Sequence, residues 1–371
     1  MVDDAKRYHR RQFLLGALAL GLTAAYLVVV LVGGVGPVFD RWARGVSSVL
    51  AWRVAVVAAA IAVGHGLVTF PLAWIRGYRL PRRYGLLHQT LGGWLADRLK
   101  AAVVGGVFGL VAVEIVYALM ATTPRWWLLA GGVLIALEIA VAFVFPVWLL
   151  PLFYRLTPFA DDAPLRQRVL ALTAKAGIAV VGVWVADQSR KGRTANAALA
   201  GLGRTRRVIL FDTLVARFTP EEVGAVLAHE LGHHVHRDVW RMLGVQAALT
   251  LLALWLADAM LRMGALRGGW PAPWDPVGLP WLVVVVATLG LLTTPLVNAF
   301  SRHLERQADD FAIDLTGDSQ GFVGAMERLA DLNLAERRPH RLKELLLYSH
   351  PSIERRIVAA REHRPTASNV V

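Results

Sequence analysis

The sequence predicts a mainly α-helical, polytopic membrane protein of about six transmembrane helices, with a soluble insert that carries a small β-sheet. Three observations support this. Hydrophobic residues make up 56% of the 371 positions, too many for an ordinary soluble domain. Six apolar runs are long enough to cross a bilayer core. Between the fourth and fifth runs the chain changes to charged, turn-rich sequence with short β-branched stretches.

The six runs lie near 13–34, 50–74, 101–121, 127–150, 240–261 and 280–300. The first has full spanning length and is followed by further spans, so it is expected to be an anchor rather than a cleaved leader. If the N-terminus is cytoplasmic, the cytoplasmic flanks carry Lys6, Arg7, Arg10, Arg11, Arg76, Arg79, Arg82, Arg83, Arg98 and Lys100. The opposite side carries Arg41, Arg44, Arg125, Arg262 and Arg267. That excess places both termini and the insert in the cytoplasm, with the plasma membrane as the expected location. Trp42, Trp52, Trp74, Trp126, Trp127, Trp148, Trp240 and Trp281 fall near span ends, where interfacial anchors are expected. The expected organisation is a four-span region over 1–154, an insert over 155–239, a transmembrane hairpin over 240–300 and a charged helical part over 301–371.

Within the insert, residues 161–177 start acidic, show helical apolar spacing and end at Gly177, which predicts a helix. The β-branched runs 178–187 and 207–215 predict strands. The small-residue stretch between them is expected to be a loop leading into an edge strand. From Thr219 a second helix is expected, with Thr219 as N-cap, Pro220 in the first position and Glu222 completing a capping box. The tail 361–371 is polar and expected to fray.

That second helix carries Ala228-His229-Glu230-Leu231-Gly232-His233. Imidazoles four residues apart share one helix face and can hold one Zn2+ ion, and Glu230 lies about 100° further round, within reach of water at the metal. This is the pattern of a zinc peptidase. Catalytic zinc normally takes three protein ligands, so another is needed. Glu305 and Asp309, four apart after the sixth span, share a face. Glu305 is the candidate third ligand, and Asp309 could orient a ligand histidine. An ordinary charged face beyond a span, with Arg302, Arg306 and Asp310, would explain the same spacing. Further on, His350 and Arg356 offer an imidazole and a cation that could stabilise a tetrahedral oxyanion. Glu114 and Glu138 lie within spans, where a carboxylate needs a partner or a wet cavity.

Taken in order, HELGH, SRHLERQAD and SHPSIERRI, with LPLFYRLTP (150–158) and NAALAGLGRTRRVILFDTL, resemble the type I CAAX prenyl protease family of integral-membrane zinc metallopeptidases, from about Leu80 onward. The resemblance implies a ring of transmembrane helices around a wet chamber, closed by a zinc-peptidase domain. It implies His229, His233 and Glu305 as zinc ligands, Glu230 as general base and Asp309 as a supporting carboxylate. His350 and Arg356 match positions that contact the substrate carbonyl or oxyanion, and Asn196 and Ala197 match the edge strand that holds the substrate backbone. Two departures stand out. The eukaryotic enzymes have seven spans, and Ala198 and Leu199 occupy positions where those enzymes have an aromatic pair. His234, His236 and His303 match no ligand position.

The chain has no cysteine, which excludes disulfide, thiolate-metal and cysteine-nucleophile chemistry. The net charge of +13 is spread over loops beside spans, which suits anionic headgroups better than nucleic acid. The expected partners are therefore the lipid bilayer and a peptide or lipid-modified peptide substrate. Two other functions share these motifs in part: a broad-specificity protease for membrane-protein quality control, and a non-catalytic scaffold or transporter.

Overall fold

The computed structural model describes residues 2–201 and 205–364. The tail expected to fray lies outside these residues from position 365. The membrane part begins with α1 (Val2–Val32), a short α2 (Val35–Val46) and α3 (Leu50–Trp74). A π-helical turn, Ile75–Arg79, continues α3 into α4 (Leu80–Arg83), and α5 (Leu91–Thr122) and α6 (Trp126–Val144) follow. The insert contains β1 (Leu156–Pro158), α7 (Pro164–Lys175), β2 (Val183–Ala186), β3 (Ala197–Ala200), β4 (Arg207–Phe211), α8 (Asp212–Arg217) and α9 (Pro220–Val235). The long α10 (Asp238–Gly268) and α11 (Leu279–Thr316) come next, then α12 (Ser319–Leu332), α13 (Arg341–Leu347) and α14 (Ile353–Glu362).

Among the described residues six helices are long and apolar enough to cross a membrane, and they coincide with the six expected runs. Most extend beyond them, because charged residues end an apolar run but do not end a helix. Thus α5 starts at Leu91, where the Thr90 side chain accepts the Gly93 amide at 3.2 Å. The sixth apolar run and the Glu305 segment likewise form one continuous helix, α11.

Neighbouring spans pack in the cycle α3, α5, α6, α10, α11 and back to α3, while α1 lies against α3 and α11. No span buries more than 22% of its most apolar window, and the buried residues, among them Val30, Val57, Tyr117, Trp126, Leu254 and Leu282, form one core at the end of the ring away from the insert. Trp126 departs from its expected interfacial role. It is 1% exposed, and its indole donates to Asp258 at 2.7 Å. Trp42, Trp148 and Trp240 do remain exposed.

At the end of the ring away from the insert, Arg53 reaches Asp40 at 2.7 Å and Asp275 at 3.0 Å, and Arg44 reaches the same two carboxylates. This pins α2 and α3 to the connection between α10 and α11.

The insert forms a four-stranded sheet in the order β1-β2-β4-β3, with β2 and β4 parallel and the outer pairs antiparallel. The β-branched runs give shorter strands than expected. The second turns helical at Asp212, whose carboxylate accepts from the Ser189 backbone amide at 2.8 Å and from its hydroxyl. Helix α7 stops before Gly177, which takes the left-handed conformation at φ 68°. Val208, Leu210, Leu227, Leu231 and Phe322 lie in one core that joins the sheet to α9, α11, α12 and α14.

Candidate active site

Helix α9 starts as its sequence requires. Thr219 accepts the Glu222 amide at 3.3 Å while Glu222 accepts the Thr219 amide at 2.9 Å. Glycine at position 232 allows a close approach, since a Cβ there would lie 3.0 Å from the Ala308 backbone of α11, tighter than an ordinary contact. This close approach brings Glu305 and Asp309 against the two histidines.

The His229 and His233 Nε2 atoms are 3.2 Å apart, and the Glu305 carboxylate lies 3.3 Å from the first and 3.4 Å from the second. Donors bonded to one metal ion at about 2.0–2.1 Å in tetrahedral geometry stand about 3.3–3.4 Å apart. These three therefore fit a metal ion. The outer nitrogens complete the argument. His229 Nδ1 lies 2.8 Å from Asp309 and His233 Nδ1 lies 2.8 Å from Asp238. In the neutral tautomer whose Nδ1–H donates outward to a carboxylate, each imidazole would turn its Nε2 lone pair to the space it shares with Glu305.

Asp238 is the group that motif spacing did not reveal. It begins α10, with two residues between it and the end of α9, because Arg237 takes the left-handed conformation at φ 57° and turns the chain back. A non-glycine residue rarely adopts that conformation, and no helical periodicity across 233–238 could have shown it.

Arg356 lies behind His229, its Nε 2.8 Å from Asp309. His350 Nδ1 is 2.8 Å from Glu305, with its side chain 59% exposed. Burial works against the charged form of His229, but the hydrogen bonds of Asp309 and Glu305 outweigh it and bring the metal-free imidazole up to about 9. His233 is raised in the same sense, against burial, chiefly by Glu305. Burial pushes the Glu230 carboxyl above its ordinary range, towards that of a working general base. The two histidine shifts express one condition: the carboxylates beside them outweigh the cost of burying a charged imidazole.

Strand β3 forms one edge of the sheet. Asn196 accepts from Phe211 at 3.1 Å, so in the antiparallel alternation the backbone groups of Ala197 and Leu199 point to the free edge. The Ala197 amide donates to its neighbour's Asn196 side chain at 3.0 Å, and His234 binds the Leu199 carbonyl at 3.1 Å. Ala197 is 2% exposed. Leu199, in contrast, lines a cavity of about 520 Å3 with Glu230, His233 and Glu305. Met242 and Leu243 of α10 form another wall, so the cavity runs from the metal donors into the helix ring. His236 packs edge-on to Phe311, and His303 is exposed. In the spans, Glu138 accepts from Thr250 at 3.1 Å.

Two family models match: residues 160–364 match peptidase family M48, and residues 2–155 match the N-terminal region of CAAX prenyl proteases, described as five membrane helices. Within 2–155 the structure has four helices long enough to span, with α2 too short to do so. Among curated proteins, the chain is 26% identical to the uncharacterized metalloprotease YhfN of Bacillus subtilis, over 95% of this chain and 84% of that protein. It is 27% identical to CAAX prenyl protease 1 of Saccharomyces cerevisiae, over 79% of this chain and 68% of that protein. For the Dictyostelium discoideum homologue the identity is 28%, and the match spans 62% of that protein's length. The fold is similar to the crystal structure of S. mikatae Ste24p, with a TM-score of 0.88 at 22% identity, over 97% of this chain and 88% of that one. With its metal donors, its ring of spans and both halves matched, the chain belongs to peptidase family M48 and is a membrane metallopeptidase of the CAAX prenyl protease family.

Proposed function

We propose that the metal is zinc, one per chain, and that the protein cleaves a peptide bond in a lipid-modified or amphipathic peptide whose apolar part rests within the helix ring. The carrying observation is that the cavity lined by His233, Glu305 and Glu230 continues along α10 into the ring. His229, His233 and Glu305 would hold the ion. Zinc, when bound, supplies Lewis acidity that polarises the scissile carbonyl and lowers the pKa of water towards about 7.

Glu230 takes the proton of the attacking water and returns it to the leaving amine. His350, exposed beside Glu305, donates to the oxyanion as it develops. Arg356 is committed to Asp309, and through it holds the His229 ring in its productive tautomer. Substrate backbone adds to the free edge of β3, where Asn196 and Ala197 shape the strand and the Leu199 amide is the accessible donor. The orientation that suits the basic flanks puts the catalytic domain and both termini in the cytoplasm, at the plasma membrane.

The test is mass-spectrometric cleavage mapping of prenylated and bare peptides by the purified protein beside Glu230→Gln. We expect cleavage by the wild type alone and only with the lipid attached. Equal cleavage of bare peptides would replace this reading with a broad-specificity membrane protease.

A further inference from the structure

Away from the active site, at the same end of the helix ring as the insert, a cavity of about 460 Å3 is lined by Arg7, Arg11, Arg83 and Arg193, with Tyr84 and Asp4. The four arginines come from three distant segments: the start of α1, the end of α4 and the loop before β3. Local structure fixes where they stand. Gln12 and Arg76 bond each other's backbone and side chain at 3.1 and 3.2 Å, which ties α1 to the turn after α3. His9 binds the Leu334 carbonyl at 2.8 Å and Arg193 donates to the Leu332 carbonyl at 2.9 Å, which ties the same corner to the peptidase domain.

Arg11 and Arg83 make no side-chain hydrogen bond or ion pair among the described residues. Four guanidiniums are thus gathered around one space with a single carboxylate lining it. Such a grouping is repulsive unless an anion enters. A second cavity, of about 390 Å3, shares Arg11 and Arg83 and adds Arg79, while its remaining walls are Leu14, Leu15, Ile75 and Leu80. These apolar residues belong to α1 and to the α3–α4 segment, both membrane spans. A cationic chamber at headgroup level that opens into an apolar groove between two spans has the two chemistries of a phospholipid in the right order.

We infer that this two-part cavity is a binding site for one anionic glycerophospholipid, with its phosphate among Arg11, Arg83 and Arg193 and an acyl chain along Leu14, Leu15 and Ile75. The apolar groove is the reason to assign a lipid rather than a free phosphate. The bound lipid would bridge α1 to the loop that carries Arg193, three residues before Asn196 and the edge strand.

The experiment uses the full chain, as wild type and as Arg11→Gln/Arg83→Gln. A control, Arg166→Gln/Arg361→Gln, removes the same charge from the peptidase domain. After extraction from membranes containing phosphatidylglycerol, native mass spectrometry counts retained lipid, and melting is followed in nanodiscs of phosphatidylcholine with and without phosphatidylglycerol. We expect the wild type and the control to retain phosphatidylglycerol and the Arg11/Arg83 variant to retain about tenfold less. In phosphatidylcholine alone that variant should melt no lower than the wild type, because it has lost repulsion and nothing else. Only the wild type and the control should gain stability from phosphatidylglycerol. Equal retention by all three proteins would overturn the site. So would a variant that melts lower in neutral lipid, since the arginines would then be structural. Displacement of the lipid by inorganic phosphate at equal concentration would overturn the lipid assignment in favour of a free-phosphate site.

Discussion

The two ends of the helix ring each bury a cluster of charges, and the clusters differ in their balance. At the far end Asp40 and Asp275 meet Arg53 and Arg44, two against two, and every partner lies within 3.0 Å. At the peptidase end Glu230, Glu305, Asp309 and Asp238 face Arg356 and Arg241, before the histidines are counted. That cluster is short by two positive charges, the charge of one divalent ion. A buried cluster that satisfies itself is a clamp. One that does not has room for a cation, and the Asp309 and Glu305 carboxylates that would face it also raise the metal-free His229 imidazole.

The largest effect is expected from Glu230→Gln, which on the proposed mechanism removes the proton carrier and leaves the donors intact. Peptide cleavage should fall by about 10²–10⁴-fold, while metal content measured by elemental analysis stays at the wild-type level. Next, Arg53→Met leaves the two far-end carboxylates with only the half-exposed Arg44. It should cost about 3–5 kcal/mol in denaturant unfolding without changing metal content, and adding Asp40→Asn and Asp275→Asn should restore most of the loss.

Asp238→Asn tests the carboxylate behind His233. Metal affinity, read by competition with a chelating dye, should drop about 10–100-fold. An unchanged affinity would make Asp238 a structural helix cap. The smallest effect concerns protons. His229 sits near 9 without metal, above its ordinary 6.5, so at neutral pH it is protonated and must deprotonate to bind. Titration calorimetry in buffers of different ionisation enthalpy should show proton release on metal uptake at pH 7, fading as the pH rises through 9. Affinity should weaken as the pH falls.

Much of this protein can be read in order along the chain. The six spans appear because a bilayer crossing needs an unbroken apolar run, and α9 because Thr219, Pro220 and Glu222 are local start signals. The pairing of His229 with His233 follows from helical repeat alone. Glu305 is weaker in the sequence, since its spacing from Asp309 suits an ordinary charged face equally well. Asp238 and the commitment of Arg356 to Asp309 were not legible, because each depends on a backbone reversal or on a partner 47 positions away.

The element types, the membrane class and the paired histidines follow from order along the chain, since these rest on interactions between near neighbours. That Glu305, Asp309 and Asp238 stand against the two histidines, and that Leu199 faces the cavity, came only with packing. It also decided that arginines from three distant segments share one cavity. These outcomes depend on how helices approach one another, as where Gly232 lets α11 close on α9, and that distance is fixed by packing rather than by order along the chain.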